Sequence, residues 1–170
     1  RWRADQVTDT AGNRMTFSHF EESRAVAGTS ASYNRASYVD TIAYTSHTSG
    51  SPLPGYSVVF VRESRAGSDV PVSVTDWDNW DTLRLDRIDA KFGSTVVRTY
   101  DLGYTIRSYT DVVSWQTTTL TSLAVTGSST AYPIVTTSAP TVSFTYVDED
   151  NRAANGSNSI EWAYPRLATI

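Results

Sequence analysis

Apolar and polar residues alternate with a period of two along most of this 170-residue chain, and no stretch holds the spacing of an amphipathic helix. That pattern commits the chain to strands. The clearest run is Thr141-Val142-Ser143-Phe144-Thr145-Tyr146, which sets Val142, Phe144 and Tyr146 towards a core and the three hydroxyl residues towards water. Residues 96–104 form a second run, with Arg98, Tyr100, Leu102 and Tyr104 in line. In residues 38–44 the spacing places Tyr38, Asp40, Ile42 and Tyr44 on one side. Residues 56–62 (YSVVFVR) are apolar on both faces in the middle, as expected of a central strand covered on both sides. Further strands are expected at 15–20, 83–90 and 120–125.

Turn signals separate these runs at short intervals, so the expected fold class is all-β, with antiparallel sheets of short hairpin-connected strands, sandwich-like or a segment of a wound β-shell. Lys91-Phe92-Gly93-Ser94-Thr95, between two alternating runs, is the best single hairpin signal. Residues 21–36, 127–139 and 147–159 read as loops, and Thr75–Asp81 as one short helical turn capped by Thr75 or Asp76. The composition agrees. Thr (24), Ser (22) and Val (17) dominate, and the usual helix formers are scarce. Residues 1–170 read as a single all-β module.

Charge and cysteine content narrow the function. The formal charge of −4 is spread along the chain with no basic stripe, which argues against nucleic-acid binding. Lys91 is the only lysine, so the cations are otherwise arginines, suited to carboxylate pairing and aromatic stacking on a sheet. With no cysteine there are no disulfides and no thiolate zinc sites. No apolar run approaches the roughly 20 residues of a membrane helix, so membrane insertion is not expected. A Ser/Thr-rich, lysine-poor composition points to an extracellular or cell-surface location.

No motif supplies a catalytic or metal centre. A nucleophilic triad would have to use His19, on a strand, or His47, in a Ser/Thr loop, and no G-x-S-x-G elbow is present. The carboxylates flank arginines, as in Arg84-Leu85-Asp86-Arg87 and around Asp89, a spacing for cross-strand ion pairs rather than for a glycosidase pair. Asp148-Glu149-Asp150-Asn151 offers oxygen ligands but lacks the spacing and glycine of a calcium loop, and reads as an acidic surface loop. Asn155-Gly156-Ser157 fits the N-glycosylation pattern. The candidate ligand-binding residues are the aromatics Trp77, Trp80 and Trp115, which offer surfaces for stacking on a glycan; Trp162 belongs to the same set. No catalytic residue, cofactor or metal ligand is assigned.

The run from Val7 to Phe17, with its Asp9-Thr10-Ala11-Gly12-Asn13 turn and following aromatic strand, resembles a phrase of bacterial Rhs/YD-repeat proteins. Tyr38–Tyr44, Val58–Arg65, Val97–Tyr104, Pro140–Tyr146 and Trp162–Ile170 follow in matching order. Together they resemble the region preceding the regular repeats in Rhs proteins and in the B components of Tc toxins. The resemblance implies strands wound into a hollow β-shell, with catalysis residing elsewhere. It carries over no catalytic residue. The chain begins and ends as if in mid-phrase, so it is expected to be a fragment or processed piece of a larger chain. Its expected partners are flanking segments or identical subunits, joined through strand edges.

Overall fold

In the computed structural model the described residues are 3–50, 55–66, 81–110, 114–127, 140–150 and 163–170. Their regular structure is entirely β. Eight strands form one antiparallel sheet in strict chain order: β1 (Gln6–Thr8), β2 (Asn13–Ala25), β3 (Ser32–His47), β4 (Tyr56–Ser64), β5 (Leu83–Phe92), β6 (Thr95–Thr110), β7 (Ser114–Gly127) and β8 (Val142–Ser143). A second, two-stranded sheet pairs β9 (Thr145–Asp150) with β10 (Ala163–Thr169).

The long strands form three hairpins, β2–β3, β4–β5 and β6–β7, which share backbone hydrogen bonds only over part of their lengths. β3 meets β4 through Thr41–Tyr44 and Val59–Tyr56, and β5 meets β6 only between Arg87 and Phe92. Beyond that shared band each hairpin continues as a two-stranded ribbon. Extensive contacts run between neighbouring strands only.

Within the shared band the pairing fixes two faces, because residues directly opposite one another point the same way. Phe17, Ile42, Val58, Ala90 and Arg98 form one continuous cross-strand row. Phe60, Ile88, Tyr100 and Val125 form another on that face, and Tyr44, Tyr56 and Phe92 a third. The opposite face carries Ser18, Thr41, Val59, Asp89, Thr99 and Thr126. The sheet is thus apolar on one side and largely polar on the other. Arg98, Tyr100 and Leu102 share the apolar face, as the alternation of 96–104 requires.

Little of this surface is sealed. Among the described residues only Val26, Ala36 and Tyr109 are buried hydrophobics, while Tyr56 and Phe92 are 40% and 38% exposed. β4 is central in the sheet, as its composition indicates, but both of its faces are only half-buried.

The 91–95 hairpin forms as expected. Phe92 pairs with Thr95 across Gly93-Ser94, and Gly93 has φ +58, the positive value a two-residue turn needs at its first position. The Asp9–Gly12 turn is also built for its residues. Asp9 Oδ1 accepts from Ala11 N (2.9 Å) and Asn13 N (2.8 Å), and Oδ2 from Asn13 Nδ2 (2.7 Å). These bonds, the Asn13 side chain's first, hold the Asp9 carboxyl below its ordinary value. Gly12 has φ +88, and a Cβ there would lie 2.7 Å from Thr48 Oγ1 and 2.8 Å from His47 Nε2. Gly12→Ala therefore combines a left-handed backbone with a steric clash, and should lower unfolding stability by about 2 kcal/mol in urea denaturation.

Four expectations need correction. Residues 21–36 are not a loop: β2 runs to Ala25 and β3 begins at Ser32, with a tight turn closed by Val26 N to Ala31 O at 2.9 Å. The inward-facing side of the ribbon there carries Glu22, Arg24 and Arg35, so no alternation of apolar with polar residues marks it. Asp148–Asp150 lie on β9 rather than in an acidic loop. Tyr38 does not share a side with Ile42 and Tyr44, because β3 carries an extra residue at Asp40 that shifts the alternation. The 141–146 run is broken at Phe144 into β8 and β9. The helical turn proposed for 75–81 lies, but for Asp81, outside the described residues, as do 128–139 and 151–159.

Candidate functional site

Six register shifts interrupt the large sheet: three in β2–β3, and one each in β4–β5, β5–β6 and β6–β7. In β2–β3 every extra residue falls on β3. A bulge leaves one residue out of the ladder and re-aims its side chain. Two of these positions are Arg35 and Asp40, and both meet opposite charges at the seam between the first two hairpins.

At that seam Glu22 of β2 accepts from Arg35, from Thr82 and from the Tyr38 hydroxyl, the last at 2.9 Å. Burial alone would push the Glu22 carboxyl up, but the three donors outweigh it and hold it below its ordinary value. Burial, and then the bond to Glu22, push the Tyr38 hydroxyl up to about 12. Beside them Arg62 of β4 donates to Asp40 Oδ1 (2.7 Å) and to Val39 O (3.2 Å), with its guanidinium 4.6 Å from the centre of the Phe20 ring. The bond from Arg62 holds Asp40 below the usual carboxylate range against a smaller opposing effect of burial.

The same construction recurs along the sheet. Between the second and third hairpins, Arg84 Nε donates to Glu63 Oε1 (2.6 Å) and its guanidinium sits 4.3 Å from the Tyr104 ring centre. The Tyr104 hydroxyl donates to Leu85 O at 2.6 Å. Between the third hairpin and β9, Arg107 donates to Asp148 Oδ1 (2.6 Å) and stacks on Tyr146 at 5.6 Å, while the Tyr109 hydroxyl donates to the same Asp148 oxygen at 2.8 Å. Each seam is therefore closed by an arginine held between a carboxylate and an aromatic ring. Where the backbone ladder stops, these side chains take over.

This accounts for most of the acids singled out in the sequence. Arg87 pairs with Asp86 (3.2 Å) and Asp89 (3.4 Å), and Thr99 Oγ1 donates to Asp89 Oδ1 at 2.9 Å. Asp148 is spent on Arg107 and Tyr109, an arrangement for an ion pair rather than a cation ligand. Among the described residues no group of three or more histidine or acidic side chains is arranged to hold a metal ion. His47 bridges two turns: its Nε2 lies 2.8 Å from Ala11 O and its Nδ1 2.7 Å from Ser49 Oγ. Nε2 must carry the proton to bond a carbonyl, so a main-chain carbonyl stands where a triad would place its orienting carboxylate. His19 lies on β2, opposite Val39.

Of the candidate ligand-binding aromatics, Trp77 and Trp80 lie outside the described residues. Trp115 is on β7 with its backbone opposite Tyr109, and its side chain is likewise outside the described set. The structure reveals a different aromatic group. Tyr44, Tyr56 and Phe92 line up across β3, β4 and β5, with centroids 5.8 Å apart and planes 17° apart for the first pair, and 5.0 Å and 48° for the second. Their spacing in sequence, on three strands, hides them from a linear reading. Tyr44 and Tyr56 border a shallow cleft of about 250 Å3 that Lys91, Arg98 and Tyr100 also line.

No protein-family model, curated protein or solved structure matches this chain.

Proposed function

We propose that this chain is a non-catalytic structural module of an extracellular β-assembly of the Rhs-like kind, joined to flanking or neighbouring chains through its strand edges. The observation that carries this reading is the half-exposed apolar face of an eight-stranded sheet. Stable domains bury such a face against a second layer. Here the strands follow one another in chain order and make extensive contacts only with their neighbours, as a sheet does when it is one layer of something larger. The arginine-stitched seams support the same reading, since they hold the layer together laterally without needing a deep core.

The edges suit joining. β1 is three residues long and covers only Arg14–Thr16 of β2, with one further bond from Phe17 N to Asp5 O at 2.8 Å. Alternation from Phe17 turns the N–H groups of His19, Glu21 and Ser23 outward along an edge with no backbone partner among the described residues. Such an edge pairs readily with another strand. Ser23→Pro removes an outward donor at a position where an edge strand tolerates proline. It should weaken edge-to-edge association in sedimentation velocity while changing unfolding stability by less than about 1 kcal/mol. Association that survives Ser23→Pro unchanged would rule out β2 as the joining edge.

A further inference from the structure

We propose that the aromatic row at the turn end of the apolar face is a binding site for an acidic polysaccharide built from uronic-acid units. The site is distinct from the strand edges and requires that the turn end of the apolar face stay uncovered in the assembly. Tyr56 and Phe92 are among the most exposed large side chains of the sheet, and with Tyr44 they make a continuous aromatic surface crossing three strands. Aromatic rings present apolar area at low conformational cost, which suits the C–H faces of pyranose rings.

The charge of the ligand follows from Arg98. The other arginines whose ion pairs define the sheet, Arg62, Arg84 and Arg107 among them, each hold a carboxylate. Arg98 stands on the apolar face beside the cleft, is exposed, and among the described residues meets only the Tyr100 hydroxyl, at 3.5 Å. The cross-strand rows of that face contain no acid. A guanidinium that holds no carboxylate among the described residues, next to a stacking surface, fits a ligand that joins a sugar ring to a carboxylate. The ligand's carboxylate would take the place that Asp40, Glu63 or Asp148 fills elsewhere in the sheet.

Backbone geometry sharpens the placement. Thr45, adjacent to Tyr44 at a register shift of β3, has φ +71, a strained value for a β-branched residue. Tyr44 nevertheless keeps its place opposite Tyr56 in the row. Strain held beside an exposed aromatic surface is the pattern of a ligand site.

The test is isothermal titration of the full chain with oligogalacturonate and with a neutral galactose oligomer of the same length. Oligogalacturonate should bind saturably and the neutral oligomer about tenfold or more weakly. Tyr56→Ala and Arg98→Gln should each reduce oligogalacturonate affinity about tenfold, and Arg98→Lys by less, with the unfolding midpoints of the two Arg98 variants unchanged. Absence of oligogalacturonate binding, equal affinity for the neutral oligomer, or indifference to both Tyr56→Ala and Arg98→Gln would overturn the proposal. Should Tyr56→Ala fail to fold, Arg98→Gln, at an exposed position, still decides between these outcomes.

Discussion

Replacing Glu22 by alanine should destabilise the protein by about 3 kcal/mol, because it removes the carboxylate that pairs with the largely buried Arg35 guanidinium. The Arg35 and Glu22 side chains are only 17% and 12% exposed, so water cannot fully substitute for the lost carboxylate. Thr82 and the Tyr38 hydroxyl lose their acceptor at the same time. Glu22→Gln keeps an acceptor and the side-chain volume and should cost less. The measurement is urea unfolding of Glu22→Ala, Arg35→Ala and the double variant. The double variant should be clearly more stable than the sum of the single losses implies. Additive losses would mean that Arg35 and Glu22 do not act as a pair. By contrast, removing the more exposed Arg3, which pairs with Glu21, should cost no more than about 1 kcal/mol.

The second large effect is the dependence of stability on pH, with losses at both ends. Glu22 and Asp40 have folded-state values below their ordinary 4.5 and 3.8. Their contribution is therefore complete above those values and is lost as the pH falls through the lower, folded ones. Tyr38 works in the opposite sense. Its hydroxyl rises from 10.0 to about 12 on folding, so its contribution is complete below pH 10 and disappears as the pH climbs towards 12. Tyr104 and Tyr109, both raised mainly by burial, act in the same direction. Urea midpoints recorded across the pH range, with phenolate absorbance read in parallel, should give a plateau that falls on both sides. Tyr38→Phe should shrink the alkaline loss and leave the acid loss in place. An alkaline limb that Tyr38→Phe leaves unchanged would remove Tyr38 from the explanation.

The sequence disclosed the fold class through alternation, which works where one face of a strand differs in polarity from the other. That holds for Arg98, Tyr100 and Leu102, and for the Gly93-Ser94 hairpin, where backbone geometry demands glycine. It fails along the β2–β3 ribbon, where the sheltered side is itself charged, with Glu22 and Arg35 on it, and residues 21–36 therefore read as loop. Bulges are invisible for a related reason: nothing local marks Asp40 as the residue that leaves the ladder, yet its departure moves Tyr38 out of phase. The seams are hidden by distance along the chain, since Glu22 meets Arg35 thirteen residues away and Thr82 sixty residues away. Composition did signal their chemistry. A chain with one lysine and many arginines uses those arginines between carboxylates and rings. The aromatic row is hidden in the sequence because Tyr44, Tyr56 and Phe92 become neighbours only once three strands are paired.

The central claim is that this sheet is one layer of a larger β-assembly, and it is tested most directly by the mass and association state of the natural protein. Intact mass spectrometry of the protein from its source, combined with sedimentation equilibrium, measures both. The account predicts either a chain much heavier than 18.7 kDa that contains this sheet, or an 18.7 kDa chain that self-associates. A natural chain of 18.7 kDa that stays folded and monomeric at high concentration would contradict it.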